Sequence, residues 1–118
     1  AWLAFNGVVY DFARERDRLS AAGARLRSTG DTETFLHLLA REGVACLARL
    51  DAMFAITLVD LDPRQPRVLI ARDRFGIKPL YWWPDPSDGS LALASEIKAF
   101  TALPAFRPTL NAPRAADF

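Results

Sequence analysis

The spacing of apolar residues changes along the chain, and each spacing predicts a different element. Residues 1–10 are apolar and β-prone, which predicts a strand interrupted at Asn6-Gly7, a dipeptide typical of turns and bulges. Residues 11–22 and 31–42 have the three- and four-residue spacing of amphipathic helices. Short apolar runs bounded by turn residues follow and predict strands. The predicted order is one strand, two helices and then further strands.

The two predicted helices differ in their apolar stripes. The stripe of residues 11–22 is thin, and Glu15 occupies a position where an apolar residue would be expected, which predicts a helix at the surface. Asp11 is the expected N-cap, and Gly23 is expected just after the helix end. Residues 31–42 have the stronger stripe and should pack on the core.

The second half of the chain predicts two hairpins. Residues 53–59 are apolar at successive positions, as in a strand covered on both faces, and residues 68–71 form the return strand. Residues 80–83 and 91–94 predict the second hairpin, and residues 96–101 a short helix. This order predicts an α+β domain with largely antiparallel pairing.

Composition and charge exclude several classes of protein. Hydrophobic residues make up 51% of the chain and charged residues 25%, as in globular proteins. The formal net charge is +1, which provides no field to attract nucleic acid or an anionic membrane. No apolar run approaches the roughly 20 residues that span a bilayer, and no secretory signal is visible. We therefore expect a cytoplasmic protein that binds neither nucleic acid nor membranes.

Cys46 is the only cysteine of the chain, which excludes an internal disulfide framework and a cysteine-rich metal site. We expect no metal site and no cofactor in this chain. A nucleophilic pair with His37 would require a hydrogen bond between the two side chains. The ordinary interpretation, a small buried thiol, is the one we favour.

Two short motifs each have a functional and a structural interpretation. The side-chain amide of Asn6 and the backbone N–H of Gly7 could stabilise an oxyanion, but the dipeptide is more often a simple turn. Asp31, after Gly30, could receive the ammonium of an amino-acid ligand. Alternatively, Asp31 or Thr29 is the N-cap of the second helix, which is the interpretation favoured from the residues alone.

A third motif, at residues 71–81, is dense in charge and reads Ala-Arg-Asp-Arg-Phe-Gly-Ile-Lys-Pro-Leu-Tyr. A basic phosphate-binding loop is one interpretation. The motif lacks the glycine spacing of known phosphate-binding loops, and Asp73 offsets the charge. We therefore expect a structural loop held by internal Arg–Asp pairing.

The order of these motifs is more informative than any one of them. The series resembles the glutaminase domain of glutamine-hydrolysing asparagine synthetases, which are class II glutamine amidotransferases, and the likeness covers nearly the whole chain. The segments that carry it are Phe5-Asn6-Gly7, Gly30-Asp31-Thr32-Glu33, Met53-Phe54-Ala55, residues 71–81 and Ala94-Ser95-Glu96-Ile97-Lys98-Ala99.

The resemblance implies the αββα sandwich of N-terminal-nucleophile hydrolases, with two antiparallel sheets and an incomplete N-terminus. Residues 1–106 would be the C-terminal part of the amidotransferase domain, and residues 107–118 the start of a linker or helix toward a synthetase domain outside this chain. In that family an N-terminal cysteine attacks glutamine. The released ammonia passes to the synthetase domain of the same polypeptide, a ligase that uses ATP and Mg to amidate aspartate. A homodimer is also compatible with the resemblance.

The resemblance also assigns site residues. Asn6 and Gly7 would form the oxyanion hole. Gly30 would line the glutamine pocket, and Asp31 would bind the α-amino group of glutamine. Val8 occupies a position that usually holds a substrate-binding glutamate.

The departures from the family pattern lead to two further expectations. Ala1 has no nucleophilic side chain, and the family's leading segment with the cysteine is missing, so we expect this chain alone to be inactive. Val8 favours one alternative function, a degenerate amidotransferase-like domain with a regulatory or interaction role. A second alternative is an amidotransferase with a different acceptor, because acceptor chemistry would lie in the synthetase domain.

Overall fold

The computed structural model describes residues 1–115, apart from the side chain of Arg114. They fall into two compact units, which divide after Pro79. The first unit contains a three-stranded antiparallel sheet of order β1-β2-β3 and two α-helices. Its elements are β1 (Trp2–Val9), α1 (Phe12–Ala21), α2 (Asp31–Glu42), a 3₁₀ helix (Gly43–Ala48), β2 (Ala52–Asp60) and β3 (Arg67–Arg72).

The core of the first unit lies between one face of this sheet and α2. Alternate side chains of β2 reach that face, and α2 contributes the apolar stripe that its periodicity predicted. The ring of Phe35 stands edge-on to Phe5 and to Phe54, with centroids 5.4 and 5.6 Å apart. The fully buried members of the core include Val9, Phe35, Leu38, Leu39, Cys46, Ile56 and Leu58.

The predicted interruption of β1 at Asn6-Gly7 is wrong. All eight residues of β1 pair with β2 in unbroken register, with Asn6 opposite Ala55 and Gly7 opposite Phe54. Gly7 does not have a positive φ. A Cβ at this position would lie 2.2 Å from the carbonyl oxygen of Met53. Glycine is therefore required by the close approach of β2 and not by a turn.

The bounds of α1 agree with the pattern, and its unexpected acidic residue has a structural explanation. Gly23 follows the helix with a φ of 80°, as predicted. Glu15 is only 2% exposed. Its carboxylate lies 2.8 Å from the guanidinium of Arg18 and 2.9 Å from that of Arg49, and Glu42 pairs with both arginines. At the position where the pattern calls for an apolar residue, Glu15 thus takes part in an ion-pair network that joins α1 to the end of α2.

The second helix begins and ends where its periodicity predicted, but the predicted caps are wrong. Its N-cap is Gly30, in an extended conformation, and neither Asp31 nor Thr29 caps the helix through its side chain. Gly43 ends the helix with a φ of 63°. At this end the guanidinium of Arg67 donates to the carbonyl oxygen of Ala40 at 3.3 Å, which satisfies one of the terminal acceptors.

The second unit contains the second predicted hairpin, β4 (Tyr81–Pro84) and β5 (Leu91–Ala94), in antiparallel register. A 3₁₀ helix (Ile97–Ala102) and α3 (Ala112–Ala115) follow. Within this unit the ring of Phe106 packs edge-on against Trp83 and at a tilt against Phe100. The short helix α3, with Pro113 in its first turn, lies in the segment 107–118 for which a linker or helix was expected, and residues 116–118 of that segment fall outside the described residues.

The α+β class and the antiparallel pairing are confirmed. The αββα sandwich, its incompleteness at the N-terminus and a domain boundary between residues 106 and 107 stay predictions. Among residues 1–115, no helix is long and apolar enough to cross a membrane.

Candidate functional site

The candidate site lies on the outer edge of β1. The backbone N–H of Tyr10 donates to the carbonyl oxygen of Asp51, on the side of β2, at 2.8 Å. Successive N–H groups of a strand point to opposite sides, so the N–H groups of Val9 and Gly7 point away from β2. Because β1 is an edge strand of its sheet, both face the open edge.

Asp31 reaches this edge from the first turn of α2. Its Oδ2 accepts the backbone N–H of Val9 at 3.1 Å, across 22 residues of sequence. The hydroxyl of Thr32 approaches the other carboxylate oxygen at 3.3 Å. The side chain that was expected to cap α2 therefore ties the helix to β1 instead, and it places a carboxylate beside the strand edge.

The N–H of Gly7 points in the same direction as that of Val9, two residues earlier on the strand. Two residues of antiparallel strand span about 7 Å. This separation suits a ligand of amino-acid length, with its ammonium at Asp31 and a carbonyl oxygen at Gly7. A small pocket for such a ligand needs only a few convergent polar groups.

Asn6 and Val8 lie on the other face of β1 from Phe5 and Val9, because side chains alternate along a strand. Phe5 and Val9 belong to the helix-facing core, so Asn6 and Val8 project from the opposite face, where both are half-buried. The Asn6 side chain and the Gly7 N–H therefore leave the strand at the corner between this face and the open edge.

Gly30 lies next to Asp31, at the exposed start of α2. A Cβ placed on it would meet no atom within 4 Å. The structure thus brings Asp31 to the same edge of β1 as the Gly7 N–H, although the two residues are distant in sequence.

The charged motif is a structural loop, as expected, but the predicted Arg–Asp pairing is wrong. The Asp73 carboxylate is 8% exposed and accepts four backbone N–H groups at 3.0 to 3.3 Å. Arg72 donates to the carbonyl oxygens of Gly76 and Lys78. The four donors to Asp73 belong to Phe54, Phe75, Ile77 and Lys78.

The four hydrogen bonds to the Asp73 carboxylate stabilise its ionised form, and they argue against a phosphate-binding loop. Burial raises the pKa of the Asp73 carboxyl, but the four N–H donors outweigh burial and hold that pKa below its ordinary value. The backbone N–H groups that could cradle a phosphate are therefore already occupied by a carboxylate of the loop itself.

Cys46 has the properties of a structural thiol. It is fully buried, and its Sγ–H donates to the carbonyl oxygen of Gly43 at 3.1 Å. Burial raises the pKa of the thiol to about 11, so the nucleophilic thiolate is disfavoured. In the part of the chain that the structure describes, no hydrogen bond joins Cys46 to His37 and no group of three or more side chains could hold a metal ion.

The strand edge, its carboxylate and the motif order can be compared with known proteins. A family model described as the glutamine amidotransferase domain matches residues 1–118. The chain belongs to this family.

Two relatives of this glutamine amidotransferase domain are named as asparagine synthetases and a third as an amidase. The glutamine-hydrolysing asparagine synthetase of Gallus gallus is 35% identical over 103 residues, which are 86% of this chain and 17% of that protein. Asparagine synthetase 3 of Bacillus subtilis is 34% identical over 100 residues, which are 85% of this chain and 16% of that protein. Amidase chyE of Penicillium rubens is 36% identical over 97 residues, 82% of this chain and 14% of that protein. The chain therefore spans only a small part of each relative.

Of the residues that the sequence assigned to an amidotransferase site, Asp31 lies at the strand edge toward which the Gly7 N–H points, and Gly30 directly precedes Asp31. Sequence reasoning missed the Val9 N–H as the partner of Asp31, because nothing local connects them. It also missed the role of Asp73. A signal for Asp73 was present, since an aspartate two residues before a loop residue commonly accepts that residue's N–H, as it does from Phe75.

Proposed function

We propose that the outer edge of β1 is the glutamine site of an amidotransferase domain of the asparagine synthetase type. Asp31 binds the α-ammonium of glutamine, and the Gly7 N–H and the Asn6 side chain stabilise the oxyanion at the amide carbon. The hydrogen bond from Val9 to Asp31 carries the proposal, because it holds a carboxylate about one ligand length from an outward-facing N–H.

The proposed oxyanion donors act on the charge that develops during amide hydrolysis. When a nucleophile attacks the amide, the carbonyl oxygen gains negative charge, and fixed N–H donors stabilise that charge without reorganising. Gly7 presents its donor from a paired strand, and Gly30 leaves open space beside Asp31. Val8 adds an apolar side chain where a carboxylate would hold more of the substrate.

The attacking nucleophile is not among these residues. Cys46 is buried and its pKa is raised, and Ala1 has only a methyl side chain. We therefore propose that this chain binds glutamine without hydrolysing it, and that the nucleophile is supplied from outside these residues. In the whole protein, ammonia would pass to an ATP- and Mg-dependent synthetase domain that amidates aspartate. Two relatives named as glutamine-hydrolysing asparagine synthetases support glutamine as the source of ammonia and asparagine as the product.

The test compares two ligands on two proteins. L-glutamine and glutaramate, which is glutamine without its α-amino group, are titrated into the chain and into Asp31→Asn. Binding is followed by the backbone amide resonances of Gly7 and Val9. Asparagine keeps an acceptor for the Val9 N–H but removes the charge. Loss of one charge-assisted contact predicts about 10- to 100-fold weaker glutamine binding and unchanged glutaramate binding.

Asp17→Asn is the matched control, because it makes the same chemical change at an exposed position of α1. It should leave both affinities unchanged. The proposal would be refuted if glutamine did not shift the Gly7 and Val9 resonances in the unmodified chain. Equal losses for glutamine and glutaramate in Asp31→Asn, with the fold of the variant unchanged, would also contradict it, since Asp31 would then not distinguish the ligand that carries the ammonium.

A domain of this family with another acceptor is the second candidate, and a relative named as an amidase is consistent with it. The glutamine site would then be the same, and only the substrate of the partner domain would differ. A degenerate regulatory domain would instead fail to bind glutamine, as Val8 would favour. The titration described above separates this last candidate from the other two.

A further inference from the structure

Asp73 is hydrogen-bonded to Phe54 of β2, the residue directly opposite Gly7 in the sheet. We infer that Asp73 is a positioning residue for the glutamine site, which holds the Gly7 N–H in place through Phe54. This inference rests on the proposed function of the β1 edge. Asp73 does not touch the substrate in this arrangement, and its effect passes through β2.

The first link is the contact between Asp73 and Phe54. The Asp73 N–H donates to the carbonyl oxygen of Phe54 at 2.8 Å, as in a continued β2–β3 ladder. The ladder's return bond, from the Phe54 N–H, goes to the Asp73 side chain at 3.3 Å. The carboxylate thus replaces a backbone carbonyl at the point where β3 ends, and both polar groups of Phe54 are held by one residue.

The second link is the contact between Phe54 and Gly7. These residues are directly opposed in the β1–β2 register. The Cβ position of Gly7 would lie 2.2 Å from the Met53 carbonyl oxygen and 2.9 Å from the Phe54 Cα. No side chain separates the two backbones here, so a displacement of the Met53–Phe54 peptide moves Gly7 directly.

Closing the loop does not by itself require the bond to Phe54. The Asp73 carboxylate already accepts hydrogen bonds from the N–H groups of Phe75, Ile77 and Lys78. The guanidinium of Arg72 donates to two carbonyl oxygens of the same loop. Phe75 is 85% exposed, so its side chain does little to anchor the loop. The bond from the Phe54 N–H to the Asp73 carboxylate is therefore a contact with the sheet that closure of the loop does not explain.

The experiment separates the two ends of the ligand. L-norvaline keeps the α-amino and α-carboxyl groups of glutamine but has a methyl in place of the amide. In the unmodified chain, glutamine should bind more tightly than norvaline, because only glutamine reaches Gly7. In Asp73→Asn, an NH₂ group replaces one acceptor oxygen, and this preference should fall by about 3- to 10-fold. Norvaline binding should be unchanged.

Arg72→Gln is the matched control within the same loop. It removes the bonds to Gly76 and Lys78 but leaves Asp73 and Phe54 intact, so the preference for glutamine should be retained. Asp73→Glu is a milder variant for use if the asparagine variant unfolds. It keeps the charge, lengthens the side chain by one methylene and should give a smaller loss of preference.

The outcomes distinguish the two proposals. If the unmodified chain binds neither ligand, the proposed function fails and this inference fails with it. If glutamine binds but both Asp73 variants keep the full preference, only the positioning role is overturned. Equal losses for glutamine and norvaline, or a loss of preference in Arg72→Gln as large as in Asp73→Asn, would show that Asp73 is merely structural. A selective loss in the Asp73 variants, together with a changed Gly7 amide shift, supports the positioning role.

Discussion

Replacement of Gly7 by alanine tests whether the close approach of β1 and β2 explains this glycine. The added Cβ would lie 2.2 Å from the Met53 carbonyl oxygen, 2.7 Å from the Phe5 ring and 2.9 Å from the Phe54 Cα. Ordinary van der Waals contact begins at 3.4 Å. The Phe5 ring can rotate away, but the other two atoms are backbone and can move only if the strands separate.

The expected cost follows from these contacts. Forcing one methyl into a packed site costs about 1–3 kcal/mol. Separation of the strands also weakens the hydrogen-bonded pairs on either side, Asn6 with Ala55 and Val8 with Met53, at about 1 kcal/mol per bond. We therefore expect Gly7→Ala to lower the free energy of unfolding by about 3 kcal/mol.

Gly30→Ala is the matched control for this prediction. Its Cβ would meet nothing within 4 Å, and its φ of −88° and ψ of 167° are accessible to alanine. The small loss from a poorer N-cap and the small gain from a stiffer unfolded chain should leave the stability within about 1 kcal/mol. The two variants make the same chemical change, so their difference measures the packing at Gly7.

Urea unfolding is the assay, followed by the amide resonances of β2 so that only the first unit is reported. The unfolding free energies of the two variants and the unmodified chain are compared at one temperature. The steric explanation would be refuted if the free energy of unfolding of Gly7→Ala lay within about 1 kcal/mol of that of the unmodified chain while β1 stayed paired in the same register.

Three further predictions concern charged and thiol groups. Glu15→Gln breaks the ion pairs of Glu15, whose side chain is 3% exposed, with Arg18 and Arg49, whose side chains are 50% and 37% exposed. Because solvent screens the exposed arginines, we expect the free energy of unfolding, measured in urea, to fall by about 1–3 kcal/mol. Backbone N–H groups of Arg27 and Ser28 lower the pKa of Glu33 from 4.5 to about 2. Its stabilising effect should therefore be complete above pH 4.5 and disappear as the pH falls toward 2, and Glu33→Gln should flatten this part of the Tm profile. Cys46 should react with a thiol reagent at neutral pH far more slowly in the folded chain than in urea, because the pKa of its thiol is raised to about 11.

The helices were predictable because their signal is local. The apolar stripe of residues 31–42 has the helical period, and a glycine with positive φ follows each helix at Gly23 and Gly43. The strands were predictable for the same reason, since alternation and turn residues are contained in a few neighbouring positions. The bounds of β2, β3 and β4 differ from the predicted ones by one residue, and β5 has the predicted bounds. The strand β1 is one residue shorter at each end than predicted and lacks the predicted interruption.

The errors concern contacts between residues that are distant in sequence. Asn-Gly is a strong turn signal on its own, and the sequence does not reveal that the β2 backbone approaches Gly7. Asp31 is a good N-cap candidate on its own, but its partner is the N–H of Val9, 22 residues away. Asp73 bonds to Phe54, 19 residues away, and a local pattern favoured a neighbouring arginine instead.

The proposed site depends on the register of β1 more than on any one side chain. The Gly7 donor is a backbone group, so any residue there other than proline would supply it. Its outward direction follows from the pairing of Gly7 with Phe54. A slip of one residue would turn this N–H toward β2 and move the Asn6 side chain to the core face. The tight contact at Gly7 and the bonds from Asp73 to Phe54 both act against such a slip. The same contacts that stabilise the sheet therefore fix the direction of the donor on which glutamine hydrolysis would depend.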